Sequence, residues 1–425
     1  MSDNVCLSSD LWPEILKRVP AKDVGRCCCV CKSWNTLIKS PSFITAHIGF
    51  AQTHLFFRHV TLTPSFKEEH FTHFADEAHH RCDLGYPPVK TWLSHFRVVG
   101  SVSGLICLSD DLYANPEKET IVLWNPVVSR YVDLSRPRDV GKKCERVIGF
   151  GFDSKKNDYK VVHLSYNVSE KPCFNVTPPK ARVYSVRERA WKSISADYVH
   201  CCVLDYYWSQ CFVNGAIHWL AYEKGKNHGF SNNALLLFDV ESERFKKMKF
   251  PEALRETCPL LLSVFELRGQ LSLMEYEVKG EWRSRCTIWV KKEYTVSTSW
   301  SKAVTLKLND WMGEVLRPIE NGRMLIVARD GCLISYDLKK KLTTRIEHGH
   351  PEGFYVGAYT ESLVLLDDES GASSYPKNTK KSNRKDRSNS DKAGKREWSD
   401  QFEALLLMYQ DTRTATQMQK LQWVF

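Results

Sequence analysis

One unit recurs through the middle of this chain: a run of β-favouring residues, a polar turn, then a second such run. It reads IVLWNPVVSRYVDL, ARVYSVRERAWKSI, LLLFDVESERFKKM, TIWVKKEYTVSTSW and CLISYDLKKKLTTRI. Aligned on Asn125, Ser185, Asp239, Val290 and Asp337, the copies are separated by 60, 54, 51 and 47 residues. A period near 50 is that of a kelch-length propeller blade and exceeds the ~40–45 of a WD-type blade. Many short strands leave many unpaired edges, and closing small sheets into a ring removes that liability. Residues 50–370 hold about six such units.

The turns have local reasons. Asn125 precedes Pro126 and is thereby pushed out of the helical region, while Asp239 and Asp337 can bond their own backbone two residues on. Trp124, Trp191, Phe245, Trp300 and Tyr336 flank these turns and are expected to pack between neighbouring blades rather than to hold a cofactor.

The first 48 residues read differently. Ser8, Ser9 and Asp10 are N-cap candidates, Pro13 suits a first helical turn, and Leu11, Ile15, Leu16 and Val19 form one apolar stripe. A second short helix is expected from Asp23 to Cys28, and a third carrying Trp34, Leu37 and Ile38, closed by Pro41. The fold class is therefore α+β and multidomain. A small three-helix module (1–48) precedes an all-β, propeller-like domain (49–370), a polar basic linker (371–397) and a C-terminal helical segment (398–425).

Composition excludes several classes. No apolar run approaches the ~20 residues that cross a bilayer, and no secretory signal opens the chain. A reducing compartment, cytoplasm or nucleus, is expected, with the 15 cysteines as thiols. Of the formal net charge of +10, +7 lies in residues 377–396, where nine Lys/Arg meet two Asp. The folded body is close to neutral, which argues against a nucleic-acid face. The stretch with Lys380, Lys381, Arg384, Lys385, Arg387, Lys395 and Arg396 reads as a disordered linker or as a nuclear import signal.

Two clusters invite a metal. RCCCVCKSW at 26–34 places four cysteines in five positions, but no second C-x-x-C accompanies Cys28 and Cys31, and free cysteine behaves as a small hydrophobe. Buried packing is the expectation. His70, His73 and EAHHRC (77–82) lack a recognised ligand spacing and are expected in a solvated loop ahead of the first blade. Phosphate loops, dinucleotide turns and nucleophile elbows are missing from the sequence, so no cofactor and no catalytic residue is assigned.

The N-terminal stripe resembles the F-box, a helical motif of ubiquitin-ligase receptor subunits. The residues that carry the likeness are Leu7, Leu11, Ile15, Leu16, Arg18, Val19, Pro20, Val24, Arg26, Cys28, Val30, Cys31, Lys32, Ser33 and Trp34. Ser8, Val19 and Gly25 depart from the family's pattern. The remainder is similar to the plant F-box-associated domain. The marks are VVGSVSGLICL (98–108), LWNP (123–126), GFGFDSKKNDYKVV (149–162), VNGAIHWLA (213–221) and WVKKEY (289–294), with Ser299-Trp300 after it.

The resemblance implies a non-catalytic substrate receptor of a Skp–cullin–F-box ligase. Contact with a Skp-type adaptor, and through it a cullin, would fall to Leu7, Leu11, Ile15, Leu16, Val19, Pro20, Val24, Cys28, Val30, Cys31 and Trp34. A target protein would meet loops on one face of the β domain, with Tyr206, Tyr207 and Trp208 as the candidates. The alternative is a nuclear scaffold or nucleic-acid-associated protein that uses the basic tail. Neither reading requires a membrane.

Overall fold

In a computed structural model, residues 11–366 are described apart from 62–66, 75–80, 86, 88–95, 111–118, 135–136, 138–143, 168–177, 204–209, 225–229, 280–281, 320–321 and 348–352. Leu7, Tyr206–Trp208, the basic stretch and the C-terminal segment lie outside the described residues.

Four short helices open the structure, not three: α1 (Leu11–Leu16), α2 (Ala21–Cys27), α3 (Lys32–Lys39) and α4 (Pro41–Ile48). Pro41 starts a helix instead of closing one, because the first helical position needs no N–H. Ser40 caps it: its Oγ accepts a hydrogen bond from the Phe43 N–H at 3.3 Å. His47, buried on α4, places Nε2 2.9 Å from the Val19 carbonyl oxygen, which ties the fourth helix back to the end of the first.

The strands follow in chain order. They are β1 (Thr53–Thr61), β2 (Lys67–Phe74) and β3 (Arg81–Asp83), then β4 (Arg97–Val102), β5 (Leu105–Ser109), β6 (Ile121–Asn125) and β7 (Arg130–Leu134). Next come β8 (Cys144–Asp153), β9 (Asp158–Asn167), β10 (Lys180–Ser185) and β11 (Ala190–Ile194), followed by β12 (Cys202–Val203), β13 (Cys211–Val213), β14 (Ala216–Lys224), β15 (Phe230–Asp239) and β16 (Arg244–Lys249). The last are β17 (Leu262–Leu267), β18 (Gln270–Lys279), β19 (Trp282–Lys291) and β20 (Trp300–Lys307), then β21 (Met312–Ile319), β22 (Arg323–Ala328), β23 (Leu333–Asp337), β24 (Thr343–Glu347) and β25 (Gly353–Thr360). Among the described residues they form five four-stranded sheets and one five-stranded sheet, all antiparallel.

One sheet has the order β25-β1-β2-β3, so the last strand pairs with the first, Thr53 opposite Thr360. This closes the ring into a β-propeller. Each pair of neighbouring sheets shares its own apolar layer. Phe56 and Tyr359 of the closing sheet meet Val98 and Trp124. Leu123 and Val132 meet Phe150 and Trp191, Val183 meets Trp219 and Phe245, and Leu235 meets Val264 and Trp300. Ile288 meets Ile326 and Tyr336, and Leu325 meets Phe57, back in the closing sheet. All five turn-flanking aromatics therefore pack between sheets.

The histidine cluster is corrected by this topology. His70 and His73 belong to β2, and Cys82 belongs to β3 opposite Thr72, so these three are strand residues of the closing sheet and not a loop ahead of it, while Glu77, His79 and His80 lie outside the described residues.

Candidate interaction surfaces

The helical module has a small core of Leu16, Ala21, Val24, Ile38 and Phe43, completed by Leu363 from the segment that follows β25. Val127 and Val128, in the β6–β7 turn, pack against the same cluster. The module is thus seated on the ring. Leu16 and Val24 are 3% and 0% exposed, so these two predicted adaptor contacts are already covered. Helical periodicity marks a stripe but not which of its edges turns inward.

The outer edge of that stripe stays open. Leu11 and Ile15, one turn apart on α1, are 46% and 41% exposed, and Val30 is 64% exposed. Pro20 and Cys31 are exposed, while Val19, Cys28 and Trp34 are half-buried against the module core. The Trp34 ring lies 4.9 Å from that of Trp12. Arg18 stands 4.9 Å above the Phe50 ring, whose residue is also exposed.

The cysteines divide. Cys27 and Cys28 pack into the module, whereas Cys29 and Cys31 are exposed, contrary to uniform burial. The helix ends at Cys27, and residues 28–30 form a turn, so helical angles do not govern them. Cys31 stands at the N-cap position of α3. Its Sγ is 3.1 Å from Ser33 Oγ, and that contact holds its thiol below the usual range. Among the described residues, no group of three His, Cys, Asp or Glu is placed to hold a metal ion.

Antiparallel pairing sends successive turns to opposite ends of each sheet. The first–second and third–fourth turns share the end on which the module sits. Contacts between sheets confirm the shared end: Tyr159 Oη donates to the Ser103 carbonyl at 2.5 Å, and Lys160 Nζ donates to the Val240 carbonyl at 2.9 Å. These turns are tight. Every described non-glycine residue with positive φ lies at this end, including Ser103, Asn157, Asn214 and Glu243.

The strands joined by the longer connections, among them β3 to β4, β5 to β6, β9 to β10 and β16 to β17, end and begin at the opposite end. The strand that brackets Tyr206–Trp208 is interrupted. β12 ends at Val203, β13 begins at Cys211, and both pair with β14. Gln210, at the return, is buried, and its Oε1 accepts the Phe150 N–H at 3.0 Å.

Comparison with known proteins agrees with this architecture. Residues 5–45 match the F-box domain, and residues 90–360 match the F-box associated beta propeller domain. The chain belongs to the F-box proteins of this propeller type. Its relatives include the Arabidopsis thaliana F-box/kelch-repeat protein At3g23880, 26% identical over 71% of this chain and 79% of that protein. F-box protein At3g07870, from the same plant, is 25% identical over 85% of this chain and 92% of its own length. The putative F-box protein At1g32420, also from Arabidopsis thaliana, reaches 30% over 69% and 88%. As an F-box chain it is one of a group of generally non-catalytic adaptor proteins, and among the described residues no helix is long and apolar enough to cross a membrane.

Proposed function

We propose that this F-box protein is the substrate-recognition subunit of a Skp–cullin–F-box ubiquitin ligase, with the module bound to a Skp-type adaptor and the ring to a target protein. The observation that carries the reading is the open apolar edge at Leu11, Ile15 and Val30 on a module otherwise folded against the ring. A single polar partner face would leave such residues in water for no gain; a partner helix groove covers them.

Magnitudes limit which residues suffice. A fully buried aliphatic side chain contributes ~1.5–3 kcal/mol, so three half-exposed ones supply only a few kcal/mol. Association costs ~4–15 kcal/mol, so the adaptor contact must extend past these three to Pro20, Cys31, Trp34 and the segment with Leu7. Leu16 and Val24 act from beneath, by holding α1 and α2 in place.

For the target we favour the ring end remote from the module, where the longer connections begin and end; Tyr206, Tyr207 and Trp208, which lie outside the described residues, are the candidate side chains. The receptor then works by tethering, which raises the local concentration of target lysines near the charged conjugating enzyme. No residue here need do covalent chemistry. Import through Lys380–Arg396 would add a nuclear pool.

Co-expression with a Skp-type adaptor, followed by affinity capture and reconstituted ubiquitin transfer, tests the reading. A stable complex that modifies a ring-bound protein is the expected result. Failure to capture the adaptor, with salt-sensitive DNA retention lost on removing residues 377–396, would favour the scaffold alternative.

A further inference from the structure

We propose that Asn125 is a positioning residue: it clamps the segment after β25, and that segment fixes the angle between the helical module and the ring. The inference rests on the receptor reading above and adds to it what holds the two working ends as one rigid body.

The observations converge on six residues of chain. Asn125 is fully buried, and its Nδ2 donates to the Ser362 carbonyl at 3.0 Å, to Ser362 Oγ at 3.1 Å and to the Val364 carbonyl at 2.8 Å. Its Oδ1 accepts the Val127 N–H at 3.1 Å, which shapes the β6–β7 turn. Ser362, also fully buried, passes the contact on by donating Oγ to the Gly104 carbonyl at 3.2 Å. One amide side chain therefore grips the strap at two carbonyls while holding its own turn.

What the strap carries is the module. Leu363 is fully buried among Leu16, Ala21, Val24, Ile38 and Phe43, and Leu366 packs against the same cluster. Burial raises the Glu361 carboxyl, and the Ala21 N–H at the start of α2 acts against that rise. The turn that Asn125 shapes supplies Val127 and Val128 to that cluster as well. Both sides of the module–ring joint thus pass through one side chain. Gly104 leaves room for this: a Cβ there would stand 2.1 Å from Ser362 Oγ.

A ligase that tethers its target depends on the distance and angle between adaptor and target. A buried amide with its donors satisfied on two carbonyls can hold that angle with no large interface. Asn125→Asp separates the two roles of the side chain. The carboxylate keeps the acceptor for Val127 N–H and loses the donors to the strap.

The test uses the full chain with nitroxides on keto amino acids introduced at the exposed Thr36 and Lys302, which spares the native thiols. Pulsed electron resonance then reads the module-to-ring distance distribution. The wild type should give one narrow peak, and Asn125→Asp a distribution at least twofold wider, with the ring still unfolding in one cooperative transition. Should Asn125→Asp fail to fold, Leu363→Ala loosens the same joint from the module side and should widen the distribution likewise. An unchanged width in the variant that folds overturns the proposal. In reconstituted ligase, adaptor affinity should stay within twofold while ubiquitin transfer falls about tenfold. Absence of adaptor binding by the wild type would sink the receptor reading alone, since the distance distribution is measured on the free protein.

Discussion

Lys160 Nζ lies 2.9 Å from Asp153 Oδ2, in a site where the lysine is 2% exposed and the aspartate side chain fully buried. The same ammonium reaches Glu243 Oε1 at 2.9 Å and donates to the Val240 carbonyl at 2.9 Å, both in the turn between β15 and β16 of the next sheet. A charge inside the GFGFDSKKNDYKVV stretch therefore links two blades. Removing one partner of a buried pair leaves the other charge stranded, at about 3–5 kcal/mol. Lys160→Met should lower the stability of the ring by about that amount in urea unfolding. Adding Asp153→Asn and Glu243→Gln to the same chain should recover most of the loss.

Acid should unfold the ring earlier than its surface charge suggests. Burial alone would raise the Glu119 carboxyl, but His163 and Arg146, whose Nη1 is 3.0 Å away, hold it at about 2. Burial opposes ionisation of Asp153 and Glu243 also, and their lysine partners again win, so both sit below the usual carboxylate range. His218, fully buried between the Cys211 carbonyl and Tyr294 Oη, is pushed down to about 4 by burial. In each case the unfolded chain binds protons that the folded one refuses, so stability rises with pH. The histidine contribution should be lost as pH falls from about 6.5 to 4, and the carboxylate contribution from about 4.5 towards 2. Urea midpoints measured from pH 7 to 2 test this, and Glu119→Gln should flatten the lower limb.

Gly149 is a packing requirement. A Cβ at this position would stand 2.2 Å from Trp219 Cζ2, and Trp219 donates its indole N–H to the Ile148 carbonyl at 3.3 Å. Gly149→Ala should cost about 1–3 kcal/mol through overpacking. Trp219→Leu in the same chain should cost less than the sum of the two single changes, which a double-mutant cycle would read.

Leu16→Asp and Ile15→Asp should lose adaptor binding for different reasons. Leu16 is core, so Leu16→Asp should abolish the module's protection from hydrogen exchange while the ring stays folded. Ile15 is on the open edge, so Ile15→Asp should leave exchange in the free protein unchanged.

The turns could be read from sequence because their chemistry is local. Asn125 Oδ1 bonds the N–H two residues on, Asp337 Oδ1 does the same at 2.9 Å, and Asp239 Oδ1 reaches Ser242 N–H at 2.9 Å. Ser185 Oγ likewise accepts from Glu188 N–H at 3.0 Å. Ring closure left no such mark, since β1 and β25 pair across most of the chain and each looks like any short strand. The same limit hid the strap. Nothing in Ser362, Leu363 and Val364 themselves announces that Asn125 and the helical module will meet there. The open edge was only half legible: a 3.6-residue period finds Leu11, Ile15 and Leu16 together, and only tertiary packing sorts Leu16 inward.

Calorimetric titration of the full chain with a Skp-type adaptor bears most directly on the central claim, with Leu11→Asp/Ile15→Asp as the comparison. The wild type should bind one adaptor per chain, and the double variant should bind roughly a hundredfold more weakly, as expected for losing ~2–3 kcal/mol of apolar contact, with an unchanged unfolding transition. Equal affinity for the two proteins, or no binding by either, would contradict the account.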